Sequence, residues 1–217
     1  MQTYAIYIFD LDGTLTDTMS VWLGIFRDGL KHFGVEPPTD LILAKHTHDW
    51  QEMLQLGLPA DRLEAFIELA HTFANERLPE ASLHTGALEM LQKLKAAGKR
   101  IGVFSTMDRA IFEPALKHQG LDRFAEVAVA GTDVAQRKPA PDGIIKALDD
   151  MAVAPADYSS VVYIGDKDTD ILAAHNAGIA GVLFYPPAHQ AVYSRTAFLK
   201  AKPDAVIEDW TALTETL

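Results

Sequence analysis

The chain has 217 residues, 48% of them hydrophobic and 23% charged, with 19 basic against 30 acidic side chains and a formal net charge of −11. That length buries one good core, with a small second lobe at most, and the acidic balance argues against nucleic acid or an anionic membrane surface as the main partner. There is no cysteine, which excludes disulfides, thiolate metal sites and a cysteine nucleophile.

The first strand is expected over residues 4–9, where Ile6, Ile8 and Phe9 supply a buried apolar run. It ends abruptly in Asp10-Leu11-Asp12-Gly13-Thr14. In open α/β sheets the carboxyl ends of strands are where ligands bind. Two carboxylates one residue apart repel unless a proton or cation joins them, and a hard ion such as Mg²⁺ suits them. An Asx turn closing the strand is the simpler alternative, since Asp-Gly does this routinely.

A long stretch without a convincing strand follows. It reads as helices over about 19–34, 48–56, 60–78 and 84–98, punctuated by Pro37-Pro38, Gly57-Leu58-Pro59 and Pro79. The last of these, with Leu88, Leu91 and Leu94 before Gly98 and Thr85 as its N-cap, belongs beside the second strand. Within the stretch, His46 and His48 alternate and precede Trp50. Two histidines without a third ligand make a poor metal site, so these three residues are expected on a solvent-facing or substrate-facing loop, the second making them candidates for substrate specificity.

Five more strands are expected over 101–105, 126–130, 161–165, 181–185 and 205–207. Short continuous apolar strands alternating with helices predict a mostly parallel sheet covered on both faces. The second strand ends in Ser105-Thr106. Arg137-Lys138-Pro139 follows the third, and the fourth leads into Gly165-Asp166-Lys167-Asp168-Thr169-Asp170. No apolar run approaches the roughly 20 residues of a membrane span, and no basic-then-apolar leader precedes the first strand, so a cytoplasmic enzyme without a membrane partner is expected.

These four stations, in this order over about residues 4–185, resemble the signature of the haloacid dehalogenase-like superfamily, which is dominated by Mg²⁺-dependent phosphatases. The resemblance implies an α/β fold, a Rossmann-like parallel sheet core (1–16 and 83–217) with a small all-helical cap domain (17–82). It implies Asp10 as a nucleophile that forms an aspartyl-phosphate. Asp12 is then the general acid and base, with its backbone carbonyl on Mg²⁺ and its carboxyl free. Asp10 and Asp166 would be oxygen ligands of the metal alongside Asp12, and Asp170 would orient Lys138 or a water. Lys138 would neutralise phosphoryl oxygens and carboxylates, with Ser105 and Thr106 hydrogen-bonding the phosphoryl group.

A cap over the site excludes water and supplies specificity, and one of this size suits small phosphate esters such as phosphoglycolate, sugar phosphates or nucleotides. Lys167 departs from the family, which often has a small hydroxyl residue there. A phosphomonoesterase is the first reading and a sugar-phosphate mutase on the same core the second. Trp22 stands near the position where the mutases carry a histidine, which lowers the odds of the second. Asp12 speaks against a dehalogenase, and the intact set of Asp10, Asp12, Lys138 and Asp166 against a silent phosphate-binding module.

Overall fold

The computed structural model describes residues 3–46, 50–190 and 192–214. Six strands form one sheet: β1 (Ile6–Phe9), β2 (Arg100–Phe104), β3 (Val127–Val129), β4 (Val161–Gly165), β5 (Ala180–Phe184) and β6 (Ala205–Ile207). Their spatial order is β3-β2-β1-β4-β5-β6, and every pairing is parallel. The chain therefore works outward from β1 to β3, then jumps back across β1 to lay down β4, β5 and β6. The reversal falls between β1 and β4, and the crevice at their carboxyl ends is where such sheets bind ligands.

The pleat divides the core. Tyr7 and Phe9 face one apolar cluster with Ile101, Val103, Val162 and Ile164, while Ile6 and Ile8 face another with Ile144, Leu148 and Tyr163. Helices cover both faces. The Tyr7 side takes α5 (Ala87–Ala96) and α6 (Arg109–His118), and the Ile8 side takes α7 (Asp142–Asp150) and α8 (Asp168–Asn176). With both faces covered, β1 is buried throughout, as its unbroken apolar run requires.

Between β1 and β2 the chain inserts α1 (Met19–His32), α2 (Asp40–Leu43), α3 (Glu52–Gln55) and α4 (Leu63–Arg77). The long helices α1 and α4 pack closely: a Cβ added at Gly29 would meet the Phe66 ring at 2.6 Å. The two crossings into and out of the insertion run side by side. Asp17 N donates to Ser82 O at 2.8 Å, and Thr16 bridges Leu83 antiparallel.

The expected helix over 48–56 is a single turn, with Thr47, His48 and Asp49 outside the described residues. Thr85 does not cap α5; Gly86 holds that position at φ +84°, a conformation glycine adopts without steric cost. After β5 come the short helices α9 (Pro187–Gln190) and α10 (Arg195–Phe198), and after β6 comes α11 (Thr211–Thr214). Among the described residues no helix is long and apolar enough to cross a membrane.

Candidate active site

Asp10 follows β1 directly, and its N–H donates to Ile164 O at 2.8 Å, continuing the ladder. The chain then turns sharply. Thr16 N (2.9 Å) and Thr16 Oγ1 (2.8 Å) both donate to Leu11 O, and Gly13 sits at φ +79°. A Cβ at Gly13 would lie 2.6 Å from Asp166 Oδ2, so this position needs glycine twice over, for its dihedral and for its space. We expect Gly13→Ala to cost at least ~2 kcal/mol, combining αL strain with displacement of Asp166. A thermal melt checks this, and an unchanged midpoint would show that the turn relaxes without cost.

Asp166 follows β4, the strand beside β1, and Asp170 lies in the first turn of α8. One carboxylate oxygen each from Asp10, Asp166 and Asp170 fall within 4.8 Å of one another. All three residues are buried. Lys138 reaches in from the segment before α7, with Nζ 2.6 Å from Asp170 Oδ1 and 3.1 Å from Asp10 Oδ1. It also donates to Tyr163 Oη at 2.9 Å, and that hydroxyl donates to Phe104 O at 2.9 Å. Asp170 is further tied by the Lys167 N–H at 2.9 Å, and a Cβ at Gly165 would come 2.2 Å from its Cγ.

The electrostatics follow from this crowding. Burial pushes the Asp10 carboxyl up to about 7; Lys138 opposes the shift and the charges of Asp170 and Asp12 add to it. Burial also drives Asp166 well above the carboxylate range, with Lys167 opposing and Asp170, Asp10 and Asp12 adding. Burial works against the Lys138 charge, yet Asp10 and Asp170 outweigh it and hold this lysine above its ordinary value. Asp10 Oδ1 is buried and accepts no hydrogen bond, because Lys138 approaches it at ion-pair distance without aligning. Three buried carboxylates clustered around a single lysine suit a hard divalent cation, which prefers oxygen donors. The donor set fits Mg²⁺.

Asp12 faces elsewhere. Its carboxylate accepts from the Trp22 indole Nε1 at 3.0 and 3.1 Å, one contact to each oxygen, so the first turn of α1 holds it. Its side chain is thus outside the Asp10–Asp166–Asp170 cluster. Ser105 is buried at the end of β2 and accepts from Met107 N at 3.3 Å. The carbonyl of Thr106 abuts Gly131, where a Cβ would come within 2.3 Å. Beside Asp12 and Asp166 opens a cavity of about 190 Å³ whose walls include Trp22, Phe26, Trp50, Lys167 and His189.

Of the residues expected to contact substrate, Trp50 lines this cavity and packs on Phe26, with ring centroids 5.3 Å apart. His46 does not line it; its Nδ1 pairs with Glu52 at 2.8 Å. His48 lies outside the described residues. Sequence reasoning did not find the contact of Trp22 with Asp12, nor His189. The latter is buried, with Nδ1 3.7 Å from Asp166 Oδ2 and no hydrogen-bond partner. Burial, then His84 and Lys167, push its pKa down to about 3, so the ring is neutral and the approach is not an ion pair. Only its position after β5 marks it in the sequence.

Fold and site together define a doubly wound α/β protein with an acidic centre at the switch point of its sheet. Residues 7–184 match the family model of the haloacid dehalogenase-like hydrolases. The pyrophosphatase PpaX of Bacillus mycoides is 29% identical over 206 residues, covering 93% of this chain and 91% of that protein. The fructose-1-phosphate phosphatase YqaB of Escherichia coli is 31% identical over 195 residues, covering 83% and 96%. A haloacid dehalogenase-like family protein of Streptococcus pneumoniae superposes with a TM-score of 0.82 at 19% identity, covering 100% and 99% of the two chains, and shares the fold. The chain belongs to the haloacid dehalogenase-like hydrolase family.

Proposed function

We propose that the protein is an Mg²⁺-dependent phosphomonoester hydrolase acting on a small phosphorylated metabolite through an aspartyl-phosphate. The observation that carries this reading is the buried Asp10 carboxylate at the end of β1, paired with Lys138 and set in a carboxylate cluster that suits a hard cation. Asp10 and Asp166, with the backbone carbonyl of Asp12, would hold Mg²⁺, which supplies charge neutralisation at the phosphoryl oxygens when bound.

Asp10 attacks phosphorus, and the bond to the leaving oxygen breaks as Asp12 gives that oxygen a proton. Asp12 then takes a proton from water, whose oxygen attacks the aspartyl-phosphate; phosphate leaves and Asp10 is restored. Lys138, Ser105 and Thr106 hold the phosphoryl oxygens, and Asp170 holds Lys138, to which it is paired at 2.6 Å. Residues 17–82 act as a cap over a core of 1–16 and 83–217, a division supported by the paired crossings at Asp17–Ser82 and Thr16–Leu83. The rest of the substrate would enter the cavity beneath Trp22 and Trp50. A tryptophan rather than a histidine on Asp12 supports hydrolysis over phosphoryl return to substrate.

The test is phosphate release from p-nitrophenyl phosphate with and without Mg²⁺, beside an assay for isomerisation of glucose 1-phosphate. Release only with Mg²⁺ and no isomerisation is expected; isomerisation would establish the mutase, and no release from any ester would remove the enzyme reading. Asp12→Asn should lose more activity toward an alkyl phosphate than toward p-nitrophenyl phosphate, whose leaving group needs no proton. Trp22→Phe should repeat that pattern at smaller amplitude, because Asp12 loses its anchor. Equal losses for both esters in single-turnover measurements would make Asp12 purely structural.

Cation and proton compete for Asp10. With its pKa near 7 in the metal-free protein, Mg²⁺ affinity should climb with pH toward about 7 and level off above it. Titration calorimetry in two buffers of different ionisation enthalpy should show protons released on binding below that pH. Identical heats in the two buffers would mean that Asp10 is already ionised.

A further inference from the structure

Lys167 is the one lysine or arginine on the cavity wall among the described residues. The other lysine of the site is committed, with Lys138 held by Asp170 and Asp10. The Lys167 ammonium, by contrast, is in direct salt-bridge or hydrogen-bond contact with no side chain among the described residues; the charges of Asp166 and Asp12 act on it from farther off, and the residue is only partly buried. Its position is locally unfavourable as well. It is the N-cap of α8, where a Ser, Thr, Asp or Asn would cap the helix, and its charge sits at the positive end of the helix dipole. A residue that breaks a local rule this way points to function.

The same cavity is lined by Trp22, Phe26 and Trp50, whose rings pack on one another with centroids 5.3–6.4 Å apart. These rings offer carbon to the ligand, and the Trp22 N–H is already taken by Asp12. Anything extending from the leaving oxygen beside Asp12 enters a cavity walled by these rings and by a single ammonium. We infer that Lys167 receives a second anionic group, a carboxylate or a second phosphate, carried on a short tether by the alcohol part of the substrate. Small phosphorylated acids and bisphosphates are thereby favoured over esters of neutral alcohols. The inference rests on the phosphatase reading and adds the class of substrate to it.

Matched pairs test it: carboxymethyl phosphate against ethyl phosphate, and propane-1,3-diyl bisphosphate against propyl phosphate. The wild type should prefer the charged member of each pair by about 30-fold or more in kcat/KM. Lys167→Met should bring each ratio to within about threefold of unity, and Lys167→Arg should keep most of the preference. No preference in the wild type would overturn the inference. So would an equal loss on both members in Lys167→Met, which would put the ammonium on the transferring phosphoryl group instead. If no ester is hydrolysed, the phosphatase reading fails by itself. Calorimetric binding of phosphonoacetate against ethylphosphonate, with Mg²⁺, to wild type and Lys167→Met then decides the role of Lys167. Tighter binding of phosphonoacetate that the variant loses supports it, and equal binding rejects it.

Discussion

Asp10→Asn will leave less than about a thousandth of wild-type turnover, since losing a covalent nucleophile typically costs at least that much, while making the metal-free protein more stable above pH 7. The second effect follows from linkage. Asp10 titrates near 7 in the folded protein against an ordinary value of 3.8. Between those values the folded state holds a proton that the unfolded chain has released, so metal-free stability falls as pH rises through that window. Above it the penalty is complete, on the order of 2–4 kcal/mol.

Asparagine removes the charge and keeps the volume. Its Oδ1 can still accept from Lys138, and its amide can donate toward the neighbouring carboxylates. The melting midpoint of the variant should therefore exceed wild type by about 5 °C at pH 8 and by little at pH 5. Mg²⁺ should shrink or reverse the gap, because the wild type gains more from the cation. Turnover above a thousandth of wild type would reject the covalent mechanism. A midpoint that drops at pH 8 would show that the carboxylate contributes more to Lys138 than it loses by burial.

The sheet was legible because its strands are buried on both faces and so read as short apolar runs between turn residues; all six lie within a residue or two of their expected positions. The acidic stations were legible because strand ends at a switch point must carry whatever polar chemistry the fold presents. Contacts between distant elements were not. Trp22 looks like one more apolar residue on an amphipathic helix, and nothing local reveals that its N–H reaches Asp12 across the crossing. His189 lies in a loop with no periodicity to mark it. His46 was a candidate substrate contact because it lies in the insertion over the site, but place along the chain does not set a side chain's direction, and Glu52 captures the ring. Lys167 was visible as a departure from the family pattern. Its meaning needed the cavity, since only there does it stand apart from the lysine already paired with two carboxylates.

Lys138→Met should be the most destabilising single change in the site. The ammonium lies between Asp10 and Asp170, with only 4% of its side chain exposed, and it is the one cation that pairs with either among the described residues. Methionine keeps roughly the length of the side chain but gives up the ammonium, which stands 5.2 and 5.3 Å from the Phe104 and Tyr163 ring centres, and leaves two buried carboxylates without their cation. Breaking a buried ion pair from one side costs ~3–5 kcal/mol, because the remaining charge is stranded. For a chain of this length that is roughly a 10 °C fall in the melting midpoint.

The loss should depend on pH in a definite direction. It is smallest below pH 7, where Asp10 holds a proton with or without Lys138, and grows as pH rises above 7, where the wild-type carboxyl has ionised and the variant's, its pKa raised further once Lys138 is gone, must ionise without a partner. Adding Asp170→Asn should recover much of the loss, since the second change removes the charge the first one strands. A double mutant as unstable as the sum of the singles would mean that Lys138 stabilises through packing alone. Turnover should stay below about a hundredth of wild type even where stability returns, because a transferring phosphoryl group has no other cationic side chain paired with the nucleophile.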